Sequence, residues 1–191
     1  MIIGVTGTNG SGKGEVAEYL SKEKGFKHIS ARAFIVREIE KRGLPVNRDT
    51  MNVVSNDMRA RFGATYFMEE MFQEVHDGED VVMESIREVP SANFLKSRGG
   101  FLIGVNADQK IRYERAVLRG SSTDHVDFDT FVAQEEKEMQ NPDPAKQNVG
   151  GVMKIVDVTL HNNTTFEAFH AEIDAALEEF KRKESIEHLT T

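Results

Sequence analysis

No cysteine occurs anywhere in the 191 residues, so disulfides, thiolate-held metals and cysteine nucleophiles are excluded, an absence that suits a reducing compartment. Basic residues are also in deficit, with 24 Lys and Arg against 32 Asp and Glu for a net charge of −8. That balance excludes a broad basic face for duplex nucleic acid or anionic lipid, and any anion has to be met by a local pocket. No apolar run approaches the roughly 20 residues of a membrane span, and the opening MIIGVT has neither a basic flank nor the length of a secretory signal. The expectation is a cytoplasmic protein without nucleic-acid or membrane partners, either a monomer or a homodimer. The histidines show no ligand spacing, and Asp124 with His125 is a lone pair in a loop, so no zinc site is expected.

What is present reads as one folded α/β domain. Hydrophobic residues at 39% and charged residues at 29% are ordinary globular values, which rules against a disordered chain. Ile2 to Thr6 is a short apolar run bounded by glycine, the pattern of a strand buried on both faces of a parallel sheet. Phe26–Ser30, Asp80–Glu84, Phe101–Asn106 and Ile155–Asn162 form four further candidate strands, separated by helical patterns. Strands alternating with helices predict a three-layer α/β/α arrangement around a five-stranded parallel sheet. Two intervals are too long for simple crossovers, so the core is assigned to residues 1–30, 79–119 and 151–185. Residues 31–78 form one insertion of two or three helices, residues 120–150 a second, polar, lid-like one, and residues 186–191 a frayed tail. A first helix is expected from about Gly14 to Lys24, and a last one from about Thr165 to Lys183. Asp108 is expected to cap the helix after the fourth strand.

Gly7, Gly12 and Lys13 fit G-x-x-x-x-G-K, the phosphate-binding loop. Placed between the first strand and the first helix, Gly7, Thr8, Asn9, Gly10, Ser11, Gly12, Lys13 and Gly14 would wrap backbone N–H groups around a phosphate chain. The helix would present its positive end and Lys13 would reach the outer phosphates. Gly12, Gly14 and Ala17 also fit the dinucleotide pattern G-x-G-x-x-A, but that fingerprint should begin at the strand end, near Gly7. Gly14 stands where the general motif has a hydroxyl for Mg²⁺.

GTNGSGKGEV resembles the phosphate loop of the nucleoside monophosphate kinases, adenylate kinase among them, whose loops commonly read GKG and then threonine. Glu15 takes the place of that threonine here, either as a magnesium-related group or as an acid favourable to the helix dipole. The resemblance implies a P-loop kinase fold with a nucleoside monophosphate-binding insertion and a lid, using ATP and Mg²⁺ and a nucleotide substrate. Within HISARAFIVREIEKRG it places Arg37 nearest to the arginine facing the monophosphate, with Arg32 as the alternative. Arg59 and Arg61 are further candidates for acceptor contacts, and Phe62, Tyr66 and Phe67 either stack on a base or belong to the core. VVMESIR resembles the end of the third strand, where an Asp-Gly pair precedes an arginine; Glu84 then stands for the aspartate, Ser85 for the glycine and Arg87 for the arginine. Glu84 at a buried strand end suits a magnesium-water ligand, and Arg87 a bidentate grip on phosphate.

Arg112, Arg115 and Arg119 follow the fourth strand at positions that share a helix face. By the same resemblance, Arg115 and Arg119 at the lid's edge join Lys13 and Arg87 around the transferring phosphoryl group. The chain also resembles dephospho-coenzyme A kinase-like proteins and the kinase-like domains associated with deoxycytidylate deaminases, though it has no deaminase zinc signature. The expected activity is transfer of the γ-phosphoryl group of ATP to a nucleoside or deoxynucleoside monophosphate. Dephospho-coenzyme A kinase and a non-kinase nucleotide-binding regulator are the alternatives. The absence of an N-K-x-D signal argues against a GTPase.

Overall fold

A computed structural model describes residues 1–120, 126–143 and 146–190. Five parallel strands, β1 (Ile2–Gly7), β2 (Lys27–Ser30), β3 (Val81–Glu84), β4 (Phe101–Asn106) and β5 (Val158–His161), are ordered β2-β3-β1-β4-β5. The register runs Ile3 beside Val82 and Phe101, and Val5 beside Glu84 and Ile103, so β1 lies at the centre. Its residues alternate between two cores. Ile3 and Val5 join Val82, Ile103 and Val105 against α1 (Lys13–Lys24) and α9 (Phe166–Thr190), where Val16, Leu20, Phe169 and Ile173 are buried. The opposite face packs on α2 (Ala31–Lys41), α3 (Arg48–Phe62), α4 (Tyr66–Gln73), α5 (Val89–Ser97) and the short α8 (Val149–Met153). The expected three-layer α/β/α architecture is therefore present. Because β1 leaves the sheet toward α1 on one face while β3 leads to α5 on the other, a crevice opens above their carboxyl ends, the usual ligand position in open parallel sheets.

The residues after Ser30 form three successive helices before β3, at the upper end of the expected number. The chain between α6 (Gln109–Arg119) and β5 carries α7 (Phe128–Met139) and α8, started by Asp127 and Asn148, whose side chains accept from Thr130 N and Gly151 N. Asp124 and His125 lie outside the described residues.

Three expectations need correction. β5 starts at Val158 and not at Ile155, because Asp157 interrupts the run: its carboxylate accepts from Leu102 N at 2.8 Å and from Lys96 Nζ at 2.7 Å, which ties the strand entry to β4 and α5. The last helix continues to Thr190, through the stretch expected to fray, since no glycine or proline interrupts the sequence after Thr165. Asp108 occupies the N-cap of α6 without capping it. Its carboxylate instead accepts from Asn163 Nδ2 at 3.0 Å, while its N–H donates to Asn163 Oδ1, joining the β4 and β5 ends. Among the described residues no helix is long and apolar enough to cross a membrane.

Candidate active site

The glycine loop leaves β1 at Gly7 and enters α1 at Lys13. Gly10 and Gly12, like Gly7 at the strand end, are demanded by both backbone and space. Gly10 has φ +75°, and a Cβ there would lie 2.2 Å from the Arg112 carbonyl oxygen; Gly12 has φ +103°, and a Cβ would lie 2.1 Å from Asn162 Nδ2. A left-handed backbone that also abuts a neighbour admits only glycine. At Gly14 nothing lies within 4 Å of a built Cβ, so packing does not explain the missing hydroxyl there. Ser11 N donates to Thr8 O at 3.3 Å, and the Glu15 and Val16 N–H groups donate to Gly12 O. Among the described residues, the N–H groups of Gly10, Gly12, Lys13 and Gly14 have no protein acceptor, and the buried hydroxyls of Thr6, Thr8 and Ser11 have no partner either. Donors left unsatisfied at a helix N-terminus make a ready cradle for an anion. A polyphosphate fits the donors present.

Asn162, just past β5, supports the loop from behind. Its Nδ2 donates to Ser11 O at 3.1 Å, and Arg115 holds it in turn by donating to Asn162 O at 2.9 Å and to Oδ1 at 3.2 Å. Sequence reading passed over Asn162, which lies in no motif.

From the loop a cavity of about 350 Å³ extends under the first insertion. At its outer end stand Asn9, Lys13, Glu84, Ser85, Arg87, Arg119 and Glu138. Lys13 is 8% exposed and its Nζ donates to Thr8 O at 2.7 Å. Burial, helped by the nearby Arg87 charge, pushes its ammonium down to about 7, although Glu84 and Glu138 pull the other way. Burial pushes the Glu84 carboxyl up, yet the hydrogen bond from His28 and the charges of Lys13 and Arg87 outweigh it and hold Glu84 below its ordinary value. Ser85 has φ +72°, the one non-glycine residue with positive φ among those described, at the position where the resemblance places a glycine. Such strain is kept where the surroundings over-determine it, commonly at ligand sites. Arg87 donates to Glu138 Oε2 at 3.2 Å and Gln147 Oε1 at 3.1 Å, both from the second insertion. Arg119 reaches back to donate to Asn9 Oδ1 at 3.0 Å.

Further in, the walls mix apolar Ile35, Met51, Phe67, Met68, Met71 and Ile86 with polar Asn52, Ser55 and Ser91. Set into them is a buried ion pair, Arg59 Nη2 to Glu88 Oε1 at 2.5 Å, each side chain 5% exposed. Burial pushes the Glu88 carboxyl up and the Arg59 guanidinium down, each opposed by the other's charge. Arginine does not deprotonate in proteins, so the guanidinium keeps its charge beside Glu88.

The structure thus brings together Lys13, Arg32, Arg59, Glu84, Arg87 and Arg119 around one cavity. It does not bring Arg37 there: Arg37 is exposed on the outer face of α2, stacked 4.3 Å from Phe34 and 3.5 Å from Glu74, so the alternative, Arg32, is the one that faces the cavity. Glu15 turns toward α9, 2.6 Å from His170 Nε2, and not toward the loop's anion cradle. Arg115 buttresses Asn162, and Arg112 is buried against Glu135 of α7, so the three arginines of α6 serve three different places. Arg61 pairs with Asp57 on the surface. Phe67 belongs to both core and cavity wall, whereas Phe62 is 60% exposed and stacks on Tyr66. Glu88 and Glu138 went unnoticed because an isolated glutamate carries no motif.

The AAA domain family matches residues 3–143, a span that includes the glycine loop and most of the cavity wall. A UPF0200 protein of Pyrobaculum aerophilum is 31% identical over 141 residues, which cover 73% of this chain and 78% of that relative. The chain belongs to the AAA domain family and to the UPF0200 proteins. Another UPF0200 protein, from Pyrococcus horikoshii, is 29% identical over 182 residues, 91% of this chain and 94% of its own. Among solved structures, this UPF0200 chain is similar to a gluconokinase from Sinorhizobium meliloti, with TM-score 0.61, 15% identity, and 97% and 95% of the two chains covered. It is also similar to a shikimate kinase from Aquifex aeolicus, with TM-score 0.56, 18% identity, and 94% and 97% covered. At these identities the likeness establishes the fold alone, the α/β fold shared with those kinases.

Proposed function

We propose that the protein transfers the γ-phosphoryl group of ATP to a nucleoside or deoxynucleoside monophosphate. The observation that carries this is the single cavity leading from Lys13, past Glu84 and Arg87, to an apolar slot beneath the first insertion. Met51, Phe67, Met68 and Met71 give the slot apolar walls that suit the faces of a planar base.

In this reading the Gly7–Gly14 amides and Lys13 hold the donor's phosphates, with Arg119 above them. Arg87 exchanges its contacts with Glu138 and Gln147 for the acceptor's phosphate, and Arg32 stands at the edge of the same slot. An acceptor phosphate oxygen attacks the γ-phosphorus in line as the bond to the β,γ-bridging oxygen breaks, and ADP departs with that electron pair. The chain contributes positioning and positive charge, which is most of what phosphoryl transfer requires. Glu84 fits a magnesium ion bound through water, since it is an ionised carboxylate beside Lys13 and Gly14 offers no hydroxyl. Magnesium, when bound, neutralises charge on the outer phosphates. Arg37, Arg115 and Glu15 have no place around the reacting groups.

The test is label transfer from γ-labelled ATP to a mixture of nucleoside monophosphates. Label is expected in a nucleoside diphosphate, with ATP consumption rising when acceptor is added. Label found only as inorganic phosphate, at a rate indifferent to every acceptor, would contradict the reading.

A further inference from the structure

The cations at the outer end of the cavity already hold an anion of the protein's own. Glu138, on α7 of the second insertion, places Oε2 3.2 Å from Arg87 Nη1, with the two side chains 17% and 27% exposed. Its charge is felt at Lys13 as well, alongside those of Arg87, Glu84 and Arg119, and all five side chains line the one cavity. A carboxylate from the second insertion thus shares the site of Lys13, Arg87 and Arg119, the groups that a phosphate would seek.

The hold is partial. Among the described residues Arg87 uses only Nη1, toward Glu138 and, at 3.1 Å, the neutral Gln147 Oε1; its Nη2 and Nε donate to no protein group. Gln147 has support of its own, since its Nε2 donates to Asn52 Oδ1 at 3.3 Å and the N–H of the next residue, Asn148, donates to Arg87 O at 2.8 Å. Glu138 is the one carboxylate in ion-pair contact with Arg87 among those residues.

We propose that Glu138 is a specificity-determining residue: its carboxylate holds the acceptor-phosphate position on Arg87, so the site opens to a phosphate monoester and stays closed to uncharged acceptors and to water. This rests on the reading above that Arg87 grips the acceptor's phosphate. A phosphate monoester carries about −1.5 to −2 charges at neutral pH, more than a carboxylate, and presents three acceptor oxygens. It can take the two unused nitrogens of the planar fork first, bidentately, and its charge then drives Glu138 off Nη1. A nucleoside, a sugar or a water brings no charge to that exchange and would leave a partly buried guanidinium without its counter-ion, so the carboxylate stays. Glu138 takes no proton in this role; it acts by occupying Arg87 until a stronger anion arrives. The same occupancy keeps water from the place of the attacking oxygen and guards ATP against hydrolysis while no acceptor is bound.

The experiment titrates inorganic phosphate, as a probe of the acceptor-phosphate position, into the protein saturated with a non-hydrolysable ATP analogue and magnesium. Glu138→Gln keeps the shape and helix preference of the side chain and removes its charge. It is expected to bind phosphate about three- to tenfold more tightly than the unmodified protein, and to show a KM for nucleoside monophosphates lowered by a like factor. Acceptor-independent ATP hydrolysis should rise in the same variant. Glu138→Ala, judged by the same readings, decides the matter if the glutamine variant does not fold. Phosphate bound equally or more weakly by the variant overturns the proposal, as a tie that merely holds the second insertion in place would predict. So does a fall in kcat with phosphate affinity unmoved, the mark of a proton acceptor or a metal-bound group, and so does an absence of phosphate binding to either protein. Each of these leaves transfer to a monophosphate to be judged by its own label. Tighter phosphate binding with no label reaching any monophosphate would instead keep Glu138 as the anion filter and remove the nucleotide as acceptor.

Discussion

Replacing Lys13 by alanine is expected to lower phosphoryl transfer by about a thousandfold or more, the scale of a lost charge contact to the transition state. The fold should survive. Lys13 is buried, and its one hydrogen bond goes to a carbonyl of its own loop, so deletion removes a group that is costly to keep charged in the native state. The same burial makes a pH signature. A lysine at about 7 in the folded protein, against an ordinary 10.5, binds fewer protons folded than unfolded between those values, so its contribution to stability grows as pH rises through that window. For ligand binding the sign reverses, because a polyphosphate favours the protonated ammonium and pulls it back up. Nucleotide affinity should therefore weaken several-fold per pH unit above about 7, with proton uptake on binding. Lys13→Ala should show neither effect. Turnover unchanged in the variant would remove Lys13 from the chemistry.

The second large effect is on stability. Glu88→Ala leaves the Arg59 guanidinium charged and buried without its partner, a loss of about 3–5 kcal/mol for pairs of this kind, out of the roughly 5–15 kcal/mol that holds a domain together. For a chain of this length that corresponds to a fall in midpoint of very roughly 6–20 °C. The cost belongs to the orphaned charge and not to the pair as such. Arg59→Met with Glu88→Leu, which removes both charges and keeps the volume apolar, should recover most of the stability. Thermal denaturation of the single and double variants checks this. A single variant as stable as the parent would mean that Glu88 is not what satisfies Arg59.

How far the sequence reaches can be seen residue by residue. The strands announce themselves because a parallel sheet covered on both faces needs continuous apolar runs, and all five were found, β5 with an overlong start. Asp157 caused that error, since a side chain reaching the neighbouring strand's N–H has no local signature. The glycine loop was legible because its geometry is dictated by its own backbone, as Gly10 and Gly12 show. Ser85 was legible only through resemblance, and its positive φ is the physical reason a glycine is expected there. The arginines were the weak point. Charge and helical spacing grouped Arg112, Arg115 and Arg119 on one face, but each is directed by a residue distant in sequence: Glu135, Asn162 and Asn9. The resemblance put Arg37 ahead of Arg32, whereas it is Arg32 that faces the cavity, since which side of α2 meets it depends on packing against α3 and α4. Glu88 and Asn162 acquire importance only from what surrounds them.

The most direct measurement is a calorimetric titration of the unmodified protein with a non-hydrolysable ATP analogue and magnesium at pH 8, repeated in buffers of different ionisation enthalpy. One analogue should bind per chain, saturably, with net proton uptake approaching one as Lys13 is recharged. An absence of saturable binding at millimolar analogue, or binding with no proton uptake, would contradict the assignment of the Gly7–Gly14 loop and Lys13 as the polyphosphate site.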